Sequence, residues 1–316
     1  MRTNRREFFA TALATGLAAA APEPRYRVGI TTNTRGGWET DVFGSFRDAH
    51  DLGYRNVESF ISYFMKDFYD QPKALARRIE EIGVRFVTIS NAAPMEMHFE
   101  DPARHGKLLE DHLRLGRFIG QFGCTHLKIN LGPRSPQGVT PADLAQMSKV
   151  LDTLGQKLKQ EGIRLAVHAH MWSQFENRAE VDSVMSHTDP AHVGFVLDTG
   201  HITMAGMDPL ELTRTLGHRI VEFHMKDTKP EMRGGARQRL DRPDMMKDPP
   251  FFELGHGGVD FPGMKKELDR IGWKGWMTVE LDSSPVKGAK ESARISLNYL
   301  KKQLGLPEES FHARVS

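Results

Sequence analysis

Short apolar runs in this chain repeatedly end on side chains that carry a charge or an imidazole. His168 and His170 close one run, Asp198 closes another, and Glu222, His224 and Lys226 alternate along a third. Thr278, Glu280 and Asp282 keep the same two-residue spacing, Glu58 closes an early run, and Lys128 with Asn130 closes a fourth-strand candidate. Residues two apart in an extended strand share a face, so each set points one way. A single strand-end glutamate is ordinarily half of a surface ion pair, and a single histidine is ordinarily a satisfied core or rim residue. Convergence changes that reading. Buried together without partners, these groups would repel one another and lose hydration at high cost. A cation among them removes that cost.

Such side chains need a scaffold that gathers strand ends. From Arg25 onward, β-branched runs predict strands over 26–32, 56–60, 85–90, 125–130, 164–170, 193–198, 220–226 and 276–281. Helical periodicity falls between them, for example over 74–82, 107–121, 141–160, 210–216 and 264–271. Gly53, Gly83, Gly123, Gly162 and Gly272 stand where a left-handed residue closes a helix. Thr140-Pro141 and Asp208-Pro209 pair a capping side chain with a first-turn proline. Eight strand–helix units predict a (β/α)8 TIM barrel, in which active sites lie at the C-terminal ends of the strands. An open doubly wound sheet is the weaker alternative, since no glycine-rich phosphate turn follows the first strand. The Pro-, Gly-, Arg- and Met-rich stretch between Lys226 and Asp260, which carries His256, is long for a structureless connection and predicts a lid after strand seven.

At 316 residues, 39% hydrophobic and 27% charged, the chain has material for one large core. Its only cysteine, Cys124, excludes an intrachain disulfide and a cysteine-rich zinc site. A formal charge of +2 lacks the basic excess of a nucleic-acid binder. Residues 1–21 read as an export signal: Arg2, Arg5 and Arg6 precede an apolar stretch and small residues suited to cleavage. Arg5-Arg6-Glu7-Phe8-Phe9 resembles a twin-arginine signal. The stretch is too short and alanine-rich for a membrane span. Cleavage near Ala20 or Ala21 removes three arginines and Glu7 from 43 basic and 41 acidic residues, leaving 40 of each. The expectation is a single barrel domain over 22–316, exported to the periplasm with no membrane anchor after cleavage.

Four blocks carry a family resemblance. Val196-Leu197-Asp198-Thr199-Gly200-His201 is followed by Phe223-His224-Met225-Lys226-Asp227, by 253–261, and by 276–280. In that order they resemble the xylose isomerase-like TIM-barrel superfamily, which contains sugar isomerases, ketose 3-epimerases, inosose dehydratases and endonuclease IV. His168-Ala169-His170-Met171 is most similar to the inosose dehydratase branch. The resemblance implies one divalent metal ion held by Asp198 on strand six, His224 on strand seven and Glu280 on strand eight. The family's fourth ligand is commonly a glutamate ending strand five. Here that position is His168, with His170 and Glu176 as the alternatives. Such a donor set suits Mn²⁺, Co²⁺, Zn²⁺ or Fe²⁺ better than Ca²⁺.

The chemistry implied is loss of a proton beside a carbonyl, eased by a Lewis-acidic ion. Ketose epimerases of the family use two opposed glutamates, on strands five and eight. This chain keeps Glu280 but has His168 in the other place. One carboxylate base with imidazole acids suits elimination, because a departing hydroxyl needs a proton. A lyase or dehydratase acting on an unphosphorylated keto-sugar, keto-glycoside or keto-cyclitol is therefore expected ahead of an epimerase or isomerase. His168, His201 and Lys226 are expected beside the reacting atoms with Glu280, and Glu58, Lys128, His170 and His256 against the substrate. A structural Glu58–Lys128 salt bridge is the other reading of that pair. Relatives are often dimers or tetramers, so a homo-oligomer is expected. An endonuclease IV-like enzyme would need histidines where strands three and four end in Ser90-Asn91 and Asn130. A non-catalytic sugar-binding barrel would not need Asp198, His224 and Glu280.

Overall fold

Eight of the apolar runs pair in parallel, as the period-two pattern requires. The computed structural model describes residues 23–232, 249–283 and 287–313, so the export segment and the middle of the expected lid lie outside the described residues. The chain forms β1 (Tyr26–Thr31), β2 (Asn56–Phe60), β3 (Arg85–Ser90), β4 (His126–Ile129), β5 (Arg164–His168), β6 (Val193–Asp198) and β7 (Ile220–Met225). A short antiparallel ribbon, β8 (Asp227–Thr228) with β9 (Phe251–Phe252), precedes the eighth barrel strand, β10 (Gly275–Val279). The barrel order is β3-β2-β1-β10-β7-β6-β5-β4. Around it run α1 (Val42–Leu52), α2 (Pro72–Ile82), α3 (His105–Gly120), α4 (Pro141–Gln160), α5 (Arg178–Ser186), α6 (Thr199–Met204), α7 (Pro209–Leu216), α8 (Phe261–Ile271) and α9 (Ala289–Lys302).

The predicted punctuation is present. Thr140 and Asp143 form a reciprocal capping box at the start of α4, which satisfies two end N–H groups at once. Gly83 and Gly272 close α2 and α8 with φ of 85° and 69°. Strands five and seven end two and one residues earlier than expected, which leaves His170 and Lys226 on the first residues of their loops. The ribbon was not expected from sequence, because two-residue strands carry no readable periodicity. Among the described residues, no helix is long and apolar enough to cross a membrane.

The barrel closes between β3 and β4 by side chains in place of a backbone ladder. Thr88 Oγ1 donates to the His126 carbonyl at 2.9 Å and Ser90 Oγ to that of Lys128 at 3.2 Å. Asn91 completes the seam as a substitute peptide: its Oδ1 accepts the Asn130 N–H at 2.8 Å and its Nδ2 donates to the Asn130 carbonyl at 3.0 Å. The second Nδ2 hydrogen goes to His112 Nε2 at 3.0 Å, and His112 Nδ1 donates to the Leu108 carbonyl at 2.8 Å. His112 must therefore be neutral, and its burial holds it down at about 4 against an ordinary 6.5.

That assignment sets a pH dependence. The unfolded chain takes up the His112 proton more readily than the folded one, so the contribution is complete above pH 6.5 and is lost as pH falls towards 4. At 1.36 kcal/mol per unit, this one group accounts for roughly 3 kcal/mol. Denaturant unfolding at pH 7.5 and 4.5 should show a smaller acid loss in His112→Gln than in the wild type. An unchanged difference would remove His112 from the seam's titration.

Candidate active site

Three rungs of side chains join the adjacent strands β7 and β10, and the residues just beyond them, on the inner face of the barrel. Deepest, Thr278 donates its hydroxyl to Glu222, whose other oxygen is 2.8 Å from His126 Nε2. Next, His224 Nδ1 lies 2.5 Å from Glu280 Oε2. At the rim, Lys226 Nζ donates to Asp282 at 2.9 Å. The two-residue spacing noticed in both segments thus becomes a ladder, because both strands present alternate residues to the same interior.

The middle rung belongs to a cluster of four donors. Single atoms of His168, Asp198, His224 and Glu280 all lie within 4.8 Å of one another, and all four residues are buried. Neighbouring groups set which nitrogens face inward. Asn130 Oδ1 accepts His168 Nδ1–H at 2.8 Å, leaving Nε2 towards Asp198 at 3.4 Å. Glu58 Oε2 accepts His224 Nε2–H at 3.0 Å, leaving Nδ1 towards Glu280 and Asp198. Oriented imidazoles of this kind are the usual arrangement behind metal ligands.

Charge points the same way. Asp198, Glu280, Asp282 and Glu58 set four carboxylates against the ammonium groups of Lys128 and Lys226. With neutral imidazoles the group is two positive charges short. The protein alone meets this with protons. Burial, opposed by Lys226, pushes Asp198 up to about 7. Burial would lower His224, but Glu58 and Glu280 override it and hold the imidazole up at about 10. A divalent cation would replace both protons, and the donor set of His168, Asp198, His224 and Glu280 fits one.

Lys226 is fully buried, 3.2 Å from both Asp198 and Glu280 and 3.0 Å from His201 Nε2. Every residue of the 198–201 stretch serves this corner. Asp198 Oδ1 caps α6 through the His201 N–H at 2.8 Å. Thr199 Oγ1 donates to the Lys226 carbonyl at 2.6 Å. Gly200 leaves room for the lysine stem: a Cβ there would stand 2.6 Å from Lys226 Cγ. His168 and His201 are held well below the ordinary imidazole range by burial, and His170 down at about 4. His170 Nδ1 donates to the Met171 carbonyl at 2.6 Å.

The cluster opens into a cavity of about 300 Å³ whose walls include Glu280, Lys128, His168, His170 and Asp282. Glu280, Lys128, His168 and His170 line it, Asp198 and His224 meet them in the cluster, and Lys226 and His201 lie against that cluster; three other candidates stand elsewhere. Glu58 stands behind His224, with its second oxygen on Lys128 at 2.8 Å; the salt bridge is present, and of the pair Lys128 lines the cavity while Glu58 does not. Glu176 turns away from the cluster to accept the Trp172 N–H, which leaves His168 as the strand-five donor. His256 is exposed on a turn whose backbone is pinned elsewhere: Asp227 accepts N–H groups from Gly255, Gly257 and Val259 at 2.9–3.0 Å. Residues missed in the sequence are Asn91 and His112, which lie outside the strands, and Trp172. Trp172 has φ of 65°, the one positive φ outside glycine among the described residues. No periodicity announces any of them.

A parallel eight-stranded barrel with a cation-ready cluster at its strand ends defines the class. The chain belongs to the xylose isomerase-like TIM barrel family, whose model matches residues 46–303. It is 32% identical over 196 residues to the rhizopine catabolism protein MocC of Rhizobium meliloti, covering 60% of this chain and 59% of that protein. It is 28% identical over 173 residues to the inosose dehydratase of Lacticaseibacillus casei, covering 54% and 58%. The matches thus span less than two thirds of these relatives. Among solved structures, the IOLI protein with a bound zinc atom superposes with a TM-score of 0.66 at 17% identity, over 87% of this chain and 96% of that one.

The role of Glu58 can be measured. Glu58→Gln keeps the shape but removes the charge that holds His224 Nε2–H. Divalent-metal affinity, read by competition with a chelator, should fall about 10- to 100-fold, with the barrel still folded by circular dichroism. Unchanged affinity would sink the assignment.

Proposed function

We propose that this chain is a divalent-metal-dependent lyase that removes water from a keto-cyclitol, keto-sugar or keto-glycoside. The observation that carries the reading is the asymmetry of the cavity: a carboxylate, Glu280, on the β10 side and imidazoles, His168 and His170, on the β5 side. Similarity to inosose dehydratase and to MocC supports it. A cation held by His168, Asp198, His224 and Glu280 would supply Lewis acidity at the substrate carbonyl.

The chain's own groups then divide the proton work. Glu280 takes the proton from the carbon beside the carbonyl. The released electron pair forms the new double bond as the neighbouring carbon–oxygen bond breaks. Lys226, whose ammonium is held by His201 across 3.0 Å, supplies the proton with which the hydroxyl leaves as water. Epimerisation is the second reading, and it would need a proton donor on the opposite face; there the chain offers imidazoles held below their ordinary range.

Glu280→Gln keeps the shape and one carbonyl oxygen but removes basicity. Turnover should fall at least ~100-fold, the lower scale for a positioned base. Deuterium exchange from solvent at the carbon beside the carbonyl should vanish in parallel. If exchange persisted while product formation stopped, the base would have to be sought on β5.

We also propose export of the folded enzyme by a twin-arginine route, supported by Arg5-Arg6 ahead of the apolar stretch. Replacing both arginines by lysine should retain the precursor in the cytoplasm in a cell-fractionation assay. Normal export of that variant would indicate the general secretion route.

A further inference from the structure

Trp172 is held where its backbone does not favour it, and it lines the cavity. A φ of 65° suits glycine or asparagine, and for a bulky side chain it is an outlier that persists only when its surroundings over-determine it. Those surroundings are on both sides of the residue. Its N–H is taken by the Glu176 carboxylate and its carbonyl by the Arg134 N–H at 2.8 Å. Arg134 is in turn fixed by a two-pronged pair with Glu180, at 2.6 and 3.1 Å, and Glu180 also accepts the Glu176 N–H at 2.7 Å. The loop after β5 is thereby locked by residues that touch no part of the metal cluster.

What the lock achieves is the placement of an indole. Trp172 lies edge-on to His201, with centroids 6.2 Å apart at 89°, and 6.3 Å from His170. Phe60 and Met97 belong to the walls of the same cavity, while the charged groups converge at the cluster. Trp38, Trp273 and Trp276 are all buried, at 4, 6 and 1% exposure, whereas Trp172 is half-buried. The cavity thus has a charged end and a wall of aromatic and thioether surface.

We propose that Trp172 is the stacking platform of the substrate site, and that it selects a closed six-membered polyol ring over an open-chain polyol. A ring presents a flat face of C–H groups that an indole can cover, while its hydroxyls point outwards to polar partners. An open chain offers no such face in one low-energy shape. Glu176 is the positioning residue that keeps the platform in place. This inference rests on the reading of the chain as acting on a carbohydrate or cyclitol.

The test uses two non-reacting probes with six hydroxyls each, myo-inositol (ring) and D-sorbitol (open chain), on the full mature chain supplied with Mn²⁺. Binding is followed by calorimetry and by tryptophan fluorescence. The wild type should bind myo-inositol several-fold more tightly than sorbitol and change its emission on binding. Trp172→Leu should lose roughly 3- to 10-fold of affinity for the ring alone, the scale of one aromatic contact, and should lose the emission change. Trp172→Phe should keep most of the preference. Glu176→Ala should lose it, and Glu176→Gln, whose amide oxygen still accepts the Trp172 N–H, should restore it. Equal binding of the ring by wild type and by a folded Trp172→Leu overturns the platform while leaving the function standing. Binding of neither polyol by the wild type overturns the carbohydrate reading itself, and the platform with it.

Discussion

His224 is gripped from both sides by carboxylates, Glu58 on β2 at 3.0 Å and Glu280 just past β10 at 2.5 Å, and all three residues are buried. The rest of the site follows from that line. An imidazole so held presents one nitrogen in one direction, and the excess negative charge around it calls for a cation or for protons. Glu58 is in turn held by Lys128, and His168 by Asn130, so each inward-facing group has a second residue that fixes its angle. Removing Lys128 would leave the buried Glu58 charge uncompensated, and removing Asn130 would leave a buried His168 N–H unpaired; both are costlier than losing a surface pair.

The same demand for partners explains how the loops are tied to the strand ends. Asp227, one residue beyond Lys226, collects the N–H groups of the 255–259 turn, and Gly257 admits it because a Cβ there would stand 1.9 Å from the Thr228 carbonyl. Phe251 on the ribbon then covers Lys226, with the ammonium 4.8 Å from the ring centre, and packs against His201. The ring shields the ion cluster from solvent on that side, which strengthens every charge–charge contact beneath it. The Trp172 loop, which packs against the same apolar cluster as Phe251, is fixed by comparable means. Strand ends supply the charges, and the loops supply the walls.

Closure of the barrel and assembly of the site are one problem at β3 and β4. Asn91 pairs with the backbone of Asn130, and the Asn130 side chain orients His168. A side chain can do there what a backbone ladder would do elsewhere, at the price of depending on residue type. Asparagine carries both a donor and an acceptor in peptide geometry, which no aliphatic substitute could reproduce.

Local order was legible in the sequence because its causes are local. Alternation placed Glu222 and His224 on one face of β7 with Lys226 just beyond, and Thr278 on β10 with Glu280 and Asp282 continuing the same spacing past its end, and helix-closing glycines and caps divided the units. Eight such units leave few architectures besides a barrel, and strand-end residues in a barrel converge. What alternation cannot state is which inward residue meets which across the lumen. That depends on strand stagger and curvature. Glu58 reaches His224 although β1 and β10 lie between their strands, and the same stagger puts it behind the imidazole instead of against the cavity. Glu176 is a candidate because it follows the end of strand five and His256 because it sits in the expected lid, yet hydrogen bonds within their own loops turn one away and leave the other exposed. Trp172 carried no signal at all, since a left-handed backbone at a tryptophan exists only where Glu176 and Arg134 compel it, and those partners are brought together by the folded chain alone.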